Sequence, residues 1–278
     1  MTTAVLLALA SAVSWGISDL LGGVRSRRLG VASVLLVSQV AALVLLTGNV
    51  AVLGARPPEP VHLMAAVGAG LSEVVGVAAL YRGLATYRAS VVAPVAACAP
   101  VVPIAVGVAL GEVPGPFRFA GLALVVIGIV LAAHQRRATG GGGTGTAVAH
   151  GAVAAAGFGA FFVFMDLAGE GGIPWALVVS RFTAVIGILA FVLAVRARIE
   201  VPWRAVPSLV LIGALIIVAD AAYTAATHLG HLSVVAVLSA FHPVVTIALA
   251  AAVLRERIDH IQRIGVAASL VGILAVTV

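Results

Sequence analysis

The chain has 278 residues, of which 62% are hydrophobic and only 9% charged, so it lacks the residues to build the polar surface of a soluble protein of its size. All 16 basic residues are arginine, and without lysine there is no Walker-type phosphate loop, which excludes ATP hydrolysis of that kind. The net charge of +6 comes from arginines scattered between apolar blocks rather than gathered in one patch, so it reads as membrane topology and not as nucleic-acid binding.

Apolar blocks of about 20 residues match the ~30 Å of hydrocarbon that a helix must cross. Ten such spans are expected, at roughly 3–22, 31–48, 62–81, 90–110, 117–134, 147–167, 174–195, 205–225, 233–254 and 261–278. The start, with no basic residue before Trp15, lacks the n-region of a cleaved signal peptide, so the first span is expected to be retained. Trp15-Gly16 in span one returns as Phe158-Gly159 in span six, and Val37-Ser38-Gln39 in span two as Val179-Ser180-Arg181 in span seven. Gly68, Ser72 and Gly76 give span three a small-residue seam that allows close helix approach.

The fourth span carries the plainest repeat. Ser90 to Leu110 comes back, 143 positions on, as Ser233 to Val253, with Ser90/Ser233 and Pro100/Pro243 among the identities. Gly121 and Gly128 in span five likewise match Gly265 and Gly272 in span ten. A Gly/Thr stretch over 138–146 reads as a flexible linker, dividing the chain into a first unit, 1–137, and a second, 147–278. Five spans is an odd number, so the second unit enters the bilayer the other way up. The fold class is therefore all-α integral membrane, ten transmembrane helices in two inverted five-helix repeats, with a site expected at mid-membrane between them. Arg56 and Arg118 follow even spans, Arg181 lies within span seven, and every other arginine follows an odd span. The positive-inside rule then puts the odd loops in the cytoplasm and both termini outside.

Polar groups inside the spans are the functional candidates, because charge in hydrocarbon is costly. Glu73, mid-way along span three, either binds a cationic group, carries a proton, or bonds a neighbouring helix as a buried structural acid. Asp220 shares a face of span eight with Tyr223 and Thr224, a polar stripe suited to the wall of a substrate cavity, or else is an interfacial acid. His242-Pro243 interrupts span nine and makes His242 a candidate ligand for substrate or proton. Trp15 either lines the cavity or joins an aromatic belt, and Tyr81 either anchors at the interface or gates. Pro94, Pro100, Pro103 and Pro243 are expected to kink spans four and nine. Asp19 and Asp166 read as interface anchors. His228 and His231 have no third partner in the sequence, and Cys98 is alone, so no metal site and no disulfide are expected.

Several of these features resemble the drug/metabolite transporter superfamily, in its ten-helix form with two EamA-type domains. They are Trp15-Gly16, Ser180-Arg181-Phe182, Leu110-Gly111-Glu112 with Arg118-Phe119-Ala120-Gly121, and Leu254-Arg255-Glu256-Arg257 with Gln262-Arg263-Ile264-Gly265. The chain departs from the family pattern at Gln39, where an arginine would fall, and at Arg255, where a glycine would. The resemblance implies a secondary carrier of small metabolites, amino-acid-like or drug-like, in a multi-pass cell-membrane protein. It implies a cavity lined mainly by helices three, four, eight and nine, a structural ion pair at Arg181, and cytoplasmic termini, against the arginine distribution. The expected partners are a small-molecule substrate, the lipid bilayer and H+ as a coupling ion, with no cofactor and no nucleic acid. A membrane enzyme lacks its motifs here; a non-transporting sensor or assembly subunit is the other reading.

Overall fold

A computed structural model describes residues 2–87, 89–113, 115–133, 143–254 and 259–277, all helical apart from short connections. The first half contains α1 (Thr2–Leu29), α2 (Val31–Leu53), α3 (Pro60–Thr86), α4 (Ala89–Ala96), α5 (Val101–Ala109) and α6 (Pro116–Ala132). The second contains α7 (Thr144–Glu170), α8 (Ile173–Ala194), α9 (Val206–Thr227), α10 (Leu232–Ser239), α11 (His242–Val253) and α12 (His260–Thr277). Eight segments are long and apolar enough to cross a membrane, counting α4 with α5 and α10 with α11 as one each, and α6 and α12 are shorter apolar helices. These are the ten expected helical spans. Residues 138–142 of the expected linker lie outside the described residues, as do Arg88, Arg136, Arg137 and the Arg255-Glu256-Arg257 run; Thr144 to Thr146 already belong to α7.

Prolines set several helix starts, standing in the first turn of α3, α6, α8 and α9, where the missing N–H would have had no helical partner anyway. Spans four and nine break for the complementary reason. Pro100 has no N–H to give the carbonyl of Ala96, which accepts from Ala99 instead at 3.2 Å, and α5 restarts at Val101. Its repeat mate Pro243 falls in the first turn of α11, just past the second break. Pro94 sits within α4 and Pro103 within α5.

The halves exchange with one another. α3 lies on α7 as α9 lies on α1; α3 meets α8 as α9 meets α2; α4 and α5 flank α7 as α10 and α11 flank α1. Without a hydrophobic force between helices in lipid, small residues that let backbones approach carry this packing. A Cβ on Gly128 would meet the Gly265 carbonyl at 2.6 Å, and one on Gly272 would meet that of Gly121 at 2.8 Å. The earlier glycine of α6 thus faces the later one of α12, so these equivalent helices run antiparallel, and the repeat is inverted. The Gly68–Ser72–Gly76 seam lies on α7, where Gly157 fits against the Ser72 carbonyl and the Gly76 backbone.

One pair of contacts breaks the exchange. α5 packs on α10, but among the described residues the equivalent helices α11 and α4 make no comparable contact. All eight residues of α10 are buried, whereas its counterpart α4 is mostly half-buried.

Candidate functional site

The centre of the protein is a buried ionic cluster placed by two equivalent close crossings. Gly70 of α3 rides on Ser180 and Thr183 of α8, and Gly213 of α9 rides on Ser38 and Ala42 of α2, each too tightly for a side chain. The residues following those serines, Gln39 and Arg181, therefore meet on the axis between the halves. Arg181 is 1% exposed, and its Nη1 donates to Gln39 Oε1 at 2.5 Å and to Glu73 Oε1 at 3.0 Å. Its Nη2 donates to Asp220 Oδ2, and the Gln39 amide closes the ring by donating to Glu73 at 3.1 Å. Four helices, two from each half, are tied by one guanidinium. A buried charge of this kind persists only when its partners are in place.

Asp220 has a second donor, the indole N–H of Trp15, at 3.0 Å. The Trp15 ring belongs to an aromatic group with Phe161, Phe162 and Tyr223, whose hydroxyl donates to the Phe162 carbonyl at 2.7 Å. Tyr223 and Thr224 are fully buried, and the Thr224 hydroxyl turns back to the Asp220 carbonyl. In this conformation they pack the core beside Asp220 and face no opening.

The other edge of Trp15 meets His242, with ring centroids 5.7 Å apart. His242 Nδ1 lies 2.7 Å from Asp19 Oδ2, and these two side chains are 32% and 48% exposed. α1 continues ten residues past Asp19 to Leu29. Asp19 bonds at the break of span nine, half-way through that span.

Tyr81 is elsewhere. It lines a groove of about 410 Å³ between α2, α3 and α8, with Leu35, Val77 and Phe191 among its apolar walls. A groove of about 270 Å³ between α2, α8 and α9 is its counterpart under the exchange of halves. Neither is lined by Glu73, Asp220, Trp15, Tyr223 or His242, because those groups are spent on one another. Asp166 lies within electrostatic range of His228 and Glu170 near the end of α7. Among the described residues no three His, Cys, Asp or Glu side chains are placed to hold a metal ion.

Two participants carry signals that the sequence offers only through the repeat. Gln39 stands where the second half has Arg181. Glu112, at the end of span four, accepts the N–H groups of Leu232 and Ser233 at 2.6 and 3.1 Å, capping α10 from across the α5–α10 contact. The bare Gly107 leaves room for that carboxylate.

A profile described as the EamA-like transporter family matches the chain twice, over residues 2–133 and 146–278. No curated protein matches. A crystal structure of another protein is similar across 100% of this chain and 97% of its own, with a TM-score of 0.76 at 18% identity, a likeness of fold. With both halves matched, the chain belongs to the EamA-like transporter family and is a multi-pass membrane transport protein.

Proposed function

We propose that the protein is a secondary carrier that moves small organic solutes, amino-acid-like or drug-like in size, across the cell membrane by alternating access. The observation that carries this reading is the unequal closure of two equivalent contacts: α5 on α10 is made and latched by Glu112, while among the described residues α4 and α11 make no comparable contact. A rocking of one half against the other exchanges the two, and two inverted copies of one unit have similar energies in either arrangement. The unmade α4–α11 contact lies on the side of the odd loops, with Arg25, Arg27, Arg28, Arg196, Arg198 and Arg204. By the positive-inside rule that side is cytoplasmic, and the conformation faces inward.

The ionic cluster supplies the coupling. It has two carboxylates, Glu73 and Asp220, around one guanidinium. Protonating one still leaves Arg181 paired with the other, so a proton enters and leaves without stranding a buried charge. Glu73 is the more accessible of the two, at 16% against 3% for the Asp220 side chain, and it is the proton-carrying group in this scheme.

The test is uptake into proteoliposomes, with solutes chosen by a thermal-shift screen of amino acids, amines and nucleosides. Saturable uptake that responds to an imposed proton gradient is expected. A purified, folded protein that moves none of the solutes stabilising it contradicts the reading.

A further inference from the structure

We infer that Asp19, His242 and Trp15 together form a recognition site for a protonated organic amine, an inference that names the substrate class of the carrier proposed above and rests on that reading. The α1–α11 crossing has an equivalent in the second half: Gly16 sits under Val245 and the His242 carbonyl, and Gly159 sits under Val102 and the Ala99 carbonyl. The same backbone joint is built twice, but its side chains differ. Where the first crossing carries Asp19 and His242, the second carries Phe162 and Ala99 at the positions 143 residues away. The joint therefore holds without a polar pair, and Asp19 and His242 are not required by the scaffold.

Their surroundings define what they bind. Asp19 lies four residues after Trp15, one turn along the same face of α1, so carboxylate and indole are neighbours. His242 opens the second half of a span broken at its middle, and Asp19 bonds to it there. A carboxylate 48% exposed within a span faces water rather than lipid, because lipid exposure is too costly. α11 also belongs to the α4–α11 pair, which among the described residues makes no contact comparable to α5 on α10. Asp19, Glu73 and Asp220 bring three carboxylates to this region, two of them paired with Arg181. A carboxylate beside an aromatic face in a partly dehydrated site selects an ammonium group, through a charge-assisted hydrogen bond and a cation–π contact. His242, 2.7 Å from Asp19 Oδ2, orients the carboxylate and yields it to the incoming N–H donor.

The experiment is equilibrium binding to the purified full-length protein in nanodiscs, with butylamine, phenethylamine and tryptamine and their neutral counterparts butanol, phenylethanol and tryptophol. At least one amine is expected to bind in preference to its alcohol, with Asp19→Asn weakening it roughly 10- to 100-fold, the range for a lost charge-assisted bond. The double variant D19F/H242A copies the side chains of the second crossing, so it should fold with the wild-type melting temperature and bind no amine. Binding of no amine, equal binding of amines and alcohols, or amine binding unchanged in D19N and D19F/H242A each overturns the inference. The same probes in proteoliposomes separate the two readings. Asp19-dependent binding without uptake sustains the recognition site and removes the carrier; gradient-driven uptake of other solutes, indifferent to Asp19, sustains the carrier and removes the recognition site.

Discussion

Gln39 and Arg181 occupy equivalent positions in the two halves and are bonded directly to each other, Arg181 Nη1 to Gln39 Oε1 at 2.5 Å. The two-fold relation of the backbone thus passes through a pair whose chemistry is unlike. One member is a neutral amide, the other a cation that recruits Glu73 and Asp220. Had both been arginine, the two carboxylates would be balanced and there would be no vacancy for a proton.

Removing the cation isolates two buried acids. Arg181→Gln is expected to destabilise the protein by about 3–5 kcal/mol, the cost of breaking a buried pair from one side. Thermal unfolding in detergent checks it. Glu73→Gln leaves Arg181 paired with Asp220 and should cost less.

Coupling should respond differently from stability. In Glu73→Gln the cluster keeps a neutral balance and has nothing further to protonate, so uptake should persist down a solute gradient but lose its response to a proton gradient. The check compares wild type and variant in proteoliposomes with and without an imposed pH difference.

Glu112 caps α10 with both oxygens. Glu112→Ala removes a cap of about 1–2 kcal/mol from the closed contact. In a Cys98→Ser background, Ser233→Cys, fully buried in the native packing, should label slowly with a maleimide. Adding Glu112→Ala should raise that rate about tenfold.

The α6–α12 contact depends on bare backbone. Gly128→Leu places a side chain where the Gly265 carbonyl and Ser269 already lie. Overpacking of this kind costs about 1–3 kcal/mol, and the variant should show a lower melting temperature than Ala123→Leu, on the same helix but exposed.

Features that repeat were the legible ones. The shared proline at 100 and 243 marks both helix breaks, and glycines seven apart in spans five and ten mark a face, although only the structure shows that Gly121 meets Gly272 rather than its own counterpart. Arg181, Glu73 and Asp220 stood out singly as charges within apolar spans; that one guanidinium holds both acids depends on three helices meeting, which no local pattern encodes. Asp19 read as an anchor because its partner is 223 residues away and its helix runs beyond the apolar block. Tyr223 read as a cavity residue from its helical face, yet that face is turned to Phe162. The aligned pairs Asp19/Phe162 and Ala99/His242 were present in the repeat all along, and they gain meaning only once the two joints are seen to be the same.

The claim that the halves rock is tested most directly by paired distance measurements between spin labels. One pair, Val91→Cys with Val253→Cys, joins α4 to α11; the other, Val113→Cys with Leu229→Cys, spans the face closed by α5 and α10, both in a Cys98→Ser background. On adding a transported solute across a change of pH, the first distance should shorten as the second lengthens, in the same molecules and with the same midpoint. Two distances that stay fixed, or that lengthen together, contradict the account.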